Sequence, residues 1–275
     1  PDRFNINLVF GPGFSERHRE VARQAADRWE EIVVGDLPDV PLDGYLPPCG
    51  LYEGPGIAGD IDDVVILMNR VPEGPAGASG CGTREASGLE FWSTNRYPPF
   101  YFAPDFEYWD EFHRVVLHEI GHVLGIGFNK WLNMLRTRPN TEPPDEYFPG
   151  PLAIQAFNAA GGRTHDGGKV PVQDGSERGS SVHWRYRVFG GEVMAGGRTI
   201  SAITVQALAD LGHVVDVTKA DPYTLPGTGT VPPGGAAADG LGGSAWPDFE
   251  FADDVIRGPV TVVDSTGKIV RVIRN

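Results

Sequence analysis

Near the start of the chain Phe4, Ile6, Leu8 and Phe10 alternate with Asn5, Asn7 and Val9, the period-two pattern of a β-strand. Ser15 then precedes a run whose apolar positions, Val21, Ala22, Ala25, Trp29, Ile32 and Val33, recur at helical spacing. The continuous apolar run Val64-Val65-Ile66-Leu67-Met68, inside residues 62–71, predicts a buried strand, and residues 89–93 predict another. Helical spacing returns over roughly residues 110–125 with Phe112, Val115, Val116, Ile120, Val123 and Leu124. Gly125 can end this helix with a positive φ and turn the chain sharply. The order strand–helix–strands–helix predicts an α+β fold, a twisted mixed sheet over two long helices.

Beyond Gly125 the pattern weakens. Residues 126–180 carry little periodicity, and Thr137 to Pro151 is rich in proline and acid. A short helix is predicted over residues 152–160. Such a long, structure-poor stretch is usually a functional insertion or a surface excursion. Residues 224–247 are rich in Gly, Pro and Ala and read as a linker. Val260-Thr261-Val262-Val263 and Ile269-Val270-Arg271-Val272-Ile273 then flank Asp264-Ser265-Thr266-Gly267-Lys268, a hairpin signal. This hairpin either packs back on the preceding domain or begins a further module. The chain thus divides into residues 1–125, residues 126–223, and a linker with hairpin over residues 224–275.

The helix near residue 118 carries the chemistry. His118-Glu119-Ile120-Gly121-His122 is an H-E-x-x-H sequence. Two imidazoles four residues apart share one helix face and can reach one metal ion, while Glu119 can face a water bound there. That arrangement suits a zinc-dependent hydrolase with Glu119 as general base. The plain alternative is a helix with two surface histidines and an ordinary glutamate. The apolar face argues for the metal, since buried polar groups without partners are costly. Gly121 inside the helix costs about 1 kcal/mol relative to alanine.

A catalytic zinc takes three protein ligands and keeps a position for water. The short metzincin motif has its third His three residues after the glycine, and here that position is Phe128. His18 lies in an exposed-looking helix. His113 falls on another face of the helix of His118. His165 sits in a Gly-rich loop, and His213 follows Gly212 and suits a helix-end cap. His183 is followed by Trp184 and, eleven positions later, by Met194 in Glu192-Val193-Met194-Ala195-Gly196. A gluzincin-type site would instead recruit an acid such as Glu177 or Glu192.

With these residues in view, the chain resembles the leishmanolysin-like metalloproteases. The resemblance runs from about residue 1 to about residue 225. It rests on His118-Glu119-Ile120-Gly121-His122-Val123-Leu124-Gly125, on His183-Trp184, on the turn at Met194, and on the stretch from Ser201 to Gly212. It implies a metzincin-like zincin whose C-terminal subdomain is irregular, with one helix after the Met-turn. It also implies a third His displaced by a long insertion, hence His118, His122 and His183 on one zinc, with Met194 packed beneath without binding it. Two departures stand out: Phe128 lies two residues later than the family's usual Phe, and no Tyr follows Met194 closely.

Composition narrows the class. The net charge of −14 argues against nucleic acid as a partner, because phosphate binding needs Lys and Arg. No apolar run approaches 18 residues, so no membrane span is expected. The first residues read as a strand, and a mature form trimmed of leader and pro-segment is expected. The two cysteines, Cys49 and Cys81, lie in Gly/Pro-rich sequence, and in a secreted protein they suggest one disulfide. The expected protein is an extracellular, monomeric zinc endopeptidase acting on protein or peptide substrates. An inactive zinc-bearing adhesion or binding module is the rival from another class. Asp60, Asp62 and Asp63 read as a solvated acidic turn, with Ca2+ as the alternative.

Overall fold

In the computed structural model the N-terminal alternation forms β1 (Ile6–Phe10), and the first amphipathic run forms α1 (Glu16–Glu30). The structure describes residues 3–46, 49, 56–138, 141, 145–162, 169–173, 181–226 and 254–274. They fall into two compact units, Pro1–Gly125 with Asp254–Asn275, and Ile126–Asp253. The fold is mixed α/β, with a mixed sheet and several helices.

Ser15 caps α1. Its hydroxyl accepts from the His18 backbone N–H, and the His18 ring accepts from the Ser15 N–H, so the residue three positions into the helix closes a capping box. The helix buries Val21, Ala22, Ala25 and Trp29. His18, on a helix that looked exposed, is itself buried. Its Nε2 lies 2.8 Å from the Tyr101 carbonyl, and its ring stacks on Phe102. Burial lowers its pKa, partly offset by the Tyr101 contact.

The first unit adds β2 (Val40–Leu46), β3 (Ile57–Ile61), β4 (Val64–Arg70), β5 (Gly77–Arg84), β6 (Glu90–Tyr97), α2 (Trp109–Val123), β10 (Val260–Val263) and β11 (Ile269–Ile273). Its sheet runs β1-β4-β6-β5-β10-β11. β1, β4 and β6 are parallel, β5 is antiparallel to β6, and the C-terminal hairpin joins through β10, parallel to β5. The hairpin therefore packs back onto the first unit rather than starting a module. α1 lies against α2 and β1, and α2 against β5 and β6. The Trp29 indole N–H donates to the Leu117 carbonyl at 2.9 Å, tying the two helices together.

Sequence periodicity missed β2, β3 and β5. In β2, Pro41, Asp43 and Gly44 interrupt the alternation, and the β2–β3 pairing shifts register there. β5 reads Gly-Ala-Ser-Gly-Cys-Gly-Thr-Arg, which resembles a loop yet is buried throughout. Its small residues are required by packing: a Cβ on Gly82 would lie 2.5 Å from the Phe91 ring. Cys81 thus sits in a strand rather than a loop, and it forms the disulfide with Cys49 inside a cluster with Leu42, Ile57, Leu67 and Trp92.

The acidic turn is also more than solvated surface. Asp63 is buried and accepts the backbone N–H groups of Asn5 at 2.8 Å and Leu37 at 2.6 Å. The Arg84 guanidinium donates to the carbonyls of Asp62 and Asp63. Burial raises the Asp63 pKa to about 6, with the two N–H donors opposing. This carboxylate staples three segments together. Carboxylate oxygens of Asp36, Asp62 and Asp63 do lie within 4.8 Å of one another.

The second unit holds α3 (Asn129–Met134), the small sheet β7 (Arg136–Arg138), β8 (Asp145–Phe148) and β9 (Val170–Pro171), then α4 (Pro151–Ala159), α5 (Tyr186–Phe189) and α6 (Ala202–Leu211). α4 packs on α6. Trp131, Phe148, Trp184 and Phe189 form an aromatic core of stacked and edge-on pairs. Among the described residues no helix is long and apolar enough to cross a membrane.

Candidate metal centre

α2 is buried along nearly its whole length, from Phe112 and then from Arg114 through Val123. Its four-residue spacing brings the Nε2 atoms of His118 and His122 to 3.1 Å from each other, with both side chains fully buried. Gly125 has φ +115°, and its N–H bonds the His122 carbonyl, so the helix stops immediately after the second histidine. A residue with a Cβ would be strained at that φ.

A third buried group converges on the pair. Asp254 places Oδ2 3.0 Å from His118 Nε2 and Oδ1 3.5 Å from His122 Nε2. Ligands sharing one tetrahedral ion at about 2.0–2.2 Å stand roughly 3.3–3.6 Å apart. The 3.5 Å separation falls in that range and the 3.0 and 3.1 Å separations lie a few tenths of an ångström below it, and the donor set of imidazole nitrogens and a carboxylate oxygen suits a borderline divalent metal. Asp254 was not among the residues singled out from sequence. It lies 136 residues from His118, beyond the Gly/Pro-rich stretch, and no local spacing marks it.

Glu119 is fully buried, and neither carboxylate oxygen has a hydrogen-bond partner among the described residues. Desolvation, followed by the nearby Asp254 carboxylate, pushes its pKa well above the ordinary glutamate value, while Arg96 and Arg114 pull the other way. A carboxylate buried in this state is costly unless something pairs with it. An adjacent cation with a bound water would satisfy both the charge and the open acceptors.

The remaining expected residues lie in the second unit. His183 is buried, and its carbonyl accepts the Gln173 N–H at 2.8 Å. The Trp184 N–H bonds the Met194 carbonyl at 3.1 Å, so the His183-Trp184 pair is tied directly to the turn Val193–Ala195. The Trp184 indole donates to the Thr204 hydroxyl at 2.7 Å. That hydroxyl bonds Glu192, which also accepts from Ser201 Oγ, the Ser201 N–H and the Met194 N–H. Burial raises Glu192 to about 7 against these four donors. Its acceptors are thus committed to shaping the Met194 turn, which removes the reason to choose it as a metal ligand. His213 uses its backbone N–H to close α6 on the Leu208 carbonyl. His165 and Glu177 lie outside the described residues.

The chain matches no protein-family model, and no curated protein matches it significantly. Its own residues define the class of the site: a buried imidazole–carboxylate cluster able to hold a metal ion.

Proposed function

We propose that the chain is a zinc-dependent endopeptidase of the metzincin type, similar to the leishmanolysin-like enzymes. The observation that carries this reading is the convergence of the two Nε2 atoms beside a buried glutamate with open acceptors. In the proposed site His118, His122 and His183 would hold one zinc, with Met194 as a packing residue that does not bind it. The bound ion would supply the charge that acidifies a water and polarises a peptide carbonyl. Glu119 would act as the general base that takes a proton from the attacking water and returns it to the leaving amine, and its dry surroundings would strengthen both interactions. The Glu192 network rigidifies the turn after His183, which fixes the direction in which this ligand approaches. Extracellular protein or peptide substrates fit the acidic chain and its disulfide.

One observation favours a second reading. Asp254 already sits beside the histidine pair, and a zinc held by four protein ligands is the mark of a closed, structural site. A zinc-bearing binding module would have such a site. Casein digestion by the zinc-loaded protein, with Glu119→Ala as control, tests the peptidase reading; a folded, zinc-loaded protein that cleaves neither casein nor a peptide library would overturn it.

A further inference from the structure

Asp254 reaches the histidine pair as part of an extended segment laid along β5. The Ala78 N–H donates to the Asp254 carbonyl at 2.8 Å, the Ile256 N–H donates to the Ala78 carbonyl at 2.8 Å, and the Ser79 hydroxyl bonds the Ile256 carbonyl at 3.0 Å. Val255 pairs with Ala78 in parallel, and farther along β10 continues the same pairing at Gly82–Arg84. The approach is close enough to need glycine: a Cβ on Gly77 would lie 2.4 Å from the Asp254 carbonyl oxygen. The Asp254 side chain is buried, and Arg96, whose charge acts on both Asp254 and Glu119, offsets part of the local negative charge.

We infer that residues 254–256 form an internal blocking strap, in which the Asp254 carboxylate holds the metal position that an incoming ligand needs and the backbone covers the β5 stretch Gly77–Ser79 beside it. This rests on the metal-site reading above. An exposed sheet edge is the usual docking rail for an extended peptide, and here the chain's own segment occupies it. The carboxylate supplies a negative ligand without a transferable proton, so it replaces a water without reproducing its chemistry. No bond is made or broken in this latency. Opening requires only that the strap lift from Ala78 and Ser79 while β10 stays paired.

The test loads wild type, Asp254→Ala and Gly77→Ala with Co2+ and titrates acetohydroxamate, following the visible absorption of the metal. Gly77→Ala keeps every metal-site residue and displaces the strap chiefly by its contact with the Asp254 backbone, the new Cβ also lying 3.3 Å from Arg96 Nε. If the open form is about a tenth of the wild-type population, apparent hydroxamate affinity rises about tenfold in both variants. Equal affinity in all three proteins, or loss of cobalt from Asp254→Ala, overturns the strap; the second result marks Asp254 as an integral ligand of a closed site. Wild type that takes up no cobalt overturns both the strap and the metal site. The same proteins loaded with zinc are assayed on a fluorogenic peptide. Tighter hydroxamate binding without cleavage by any variant sustains the strap and rejects the peptidase.

Discussion

The Asp254 carboxylate lies 3.0 Å from His118 Nε2 across 136 residues of chain. The backbone of the same residue is bonded to Ala78, so its side chain is delivered by sheet pairing rather than by local sequence. This relationship makes the His118–His122 pair a three-donor cluster within the first unit. It also connects the metal centre to the C-terminal hairpin.

Metal content follows first from the cluster. The protein should carry about one zinc per chain after gentle dialysis, measured by elemental mass spectrometry, and His122→Ala should carry almost none. Chelation should lower the thermal midpoint by about 5–10 °C where the ion had been present at a hundredfold excess over its dissociation constant. An unchanged midpoint with zinc fully removed would contradict a site that couples to folding.

Glu119→Ala should retain zinc and lose cleavage by about 10²–10⁴-fold, because the residue serves as a base and not as a ligand. Calorimetry on the metal-free proteins gives an independent check. The variant should be no less stable than wild type, since it removes a buried carboxylate with no hydrogen-bond partner among the described residues.

His183→Ala should weaken zinc binding and remove activity, with His118, His122 and Asp254 left as the remaining donors, while His165→Ala and His213→Ala keep both. The last two replace side chains the proposed site does not use. Full zinc in His183→Ala, with loss in either of the others, would reassign the third ligand.

Glu192 sets a pH dependence whose sign is defined. Its pKa is about 7 in the folded protein against 4.5 for an ordinary glutamate. Between those values the folded state binds more protons than the unfolded state. Stability from this group is therefore fully present below pH 4.5 and is lost as pH rises through about 7, by about 2–4 kcal/mol in all. Urea midpoints of the metal-free protein from pH 5 to 8 should fall with this slope. Glu192→Gln should flatten the slope while lowering stability throughout, because an amide cannot accept from all four donors. An identical slope in the variant would remove Glu192 as its source.

The Cys49–Cys81 bridge closes a separation of 32 residues. Replacing both cysteines by serine should cost roughly 3–4 kcal/mol on the chain-entropy estimate, read as a lower denaturant midpoint. Alkylation of the native protein should find no free thiol.

Features that depend on neighbours along the chain were legible in the residue pattern. Alternation predicted β1, apolar runs predicted β4, and 3.6-residue spacing predicted α1 and α2. The four-residue interval put His118 and His122 on one turn, and Gly125 marked where that turn ends with its positive φ. Each of these is local geometry, with a period set by the backbone. β5 and Asp254 emerge from long-range packing instead. β5 has no hydrophobic rhythm because it is buried throughout and its glycines answer to Phe91 and to the Asp254 carbonyl, neither adjacent in sequence. Asp254 is one acid among 37 acidic residues, distinguished solely by the register that sets Val255 against Ala78. A pairing between distant segments is chosen by the summed packing of the whole sheet, and no short window of sequence contains that sum.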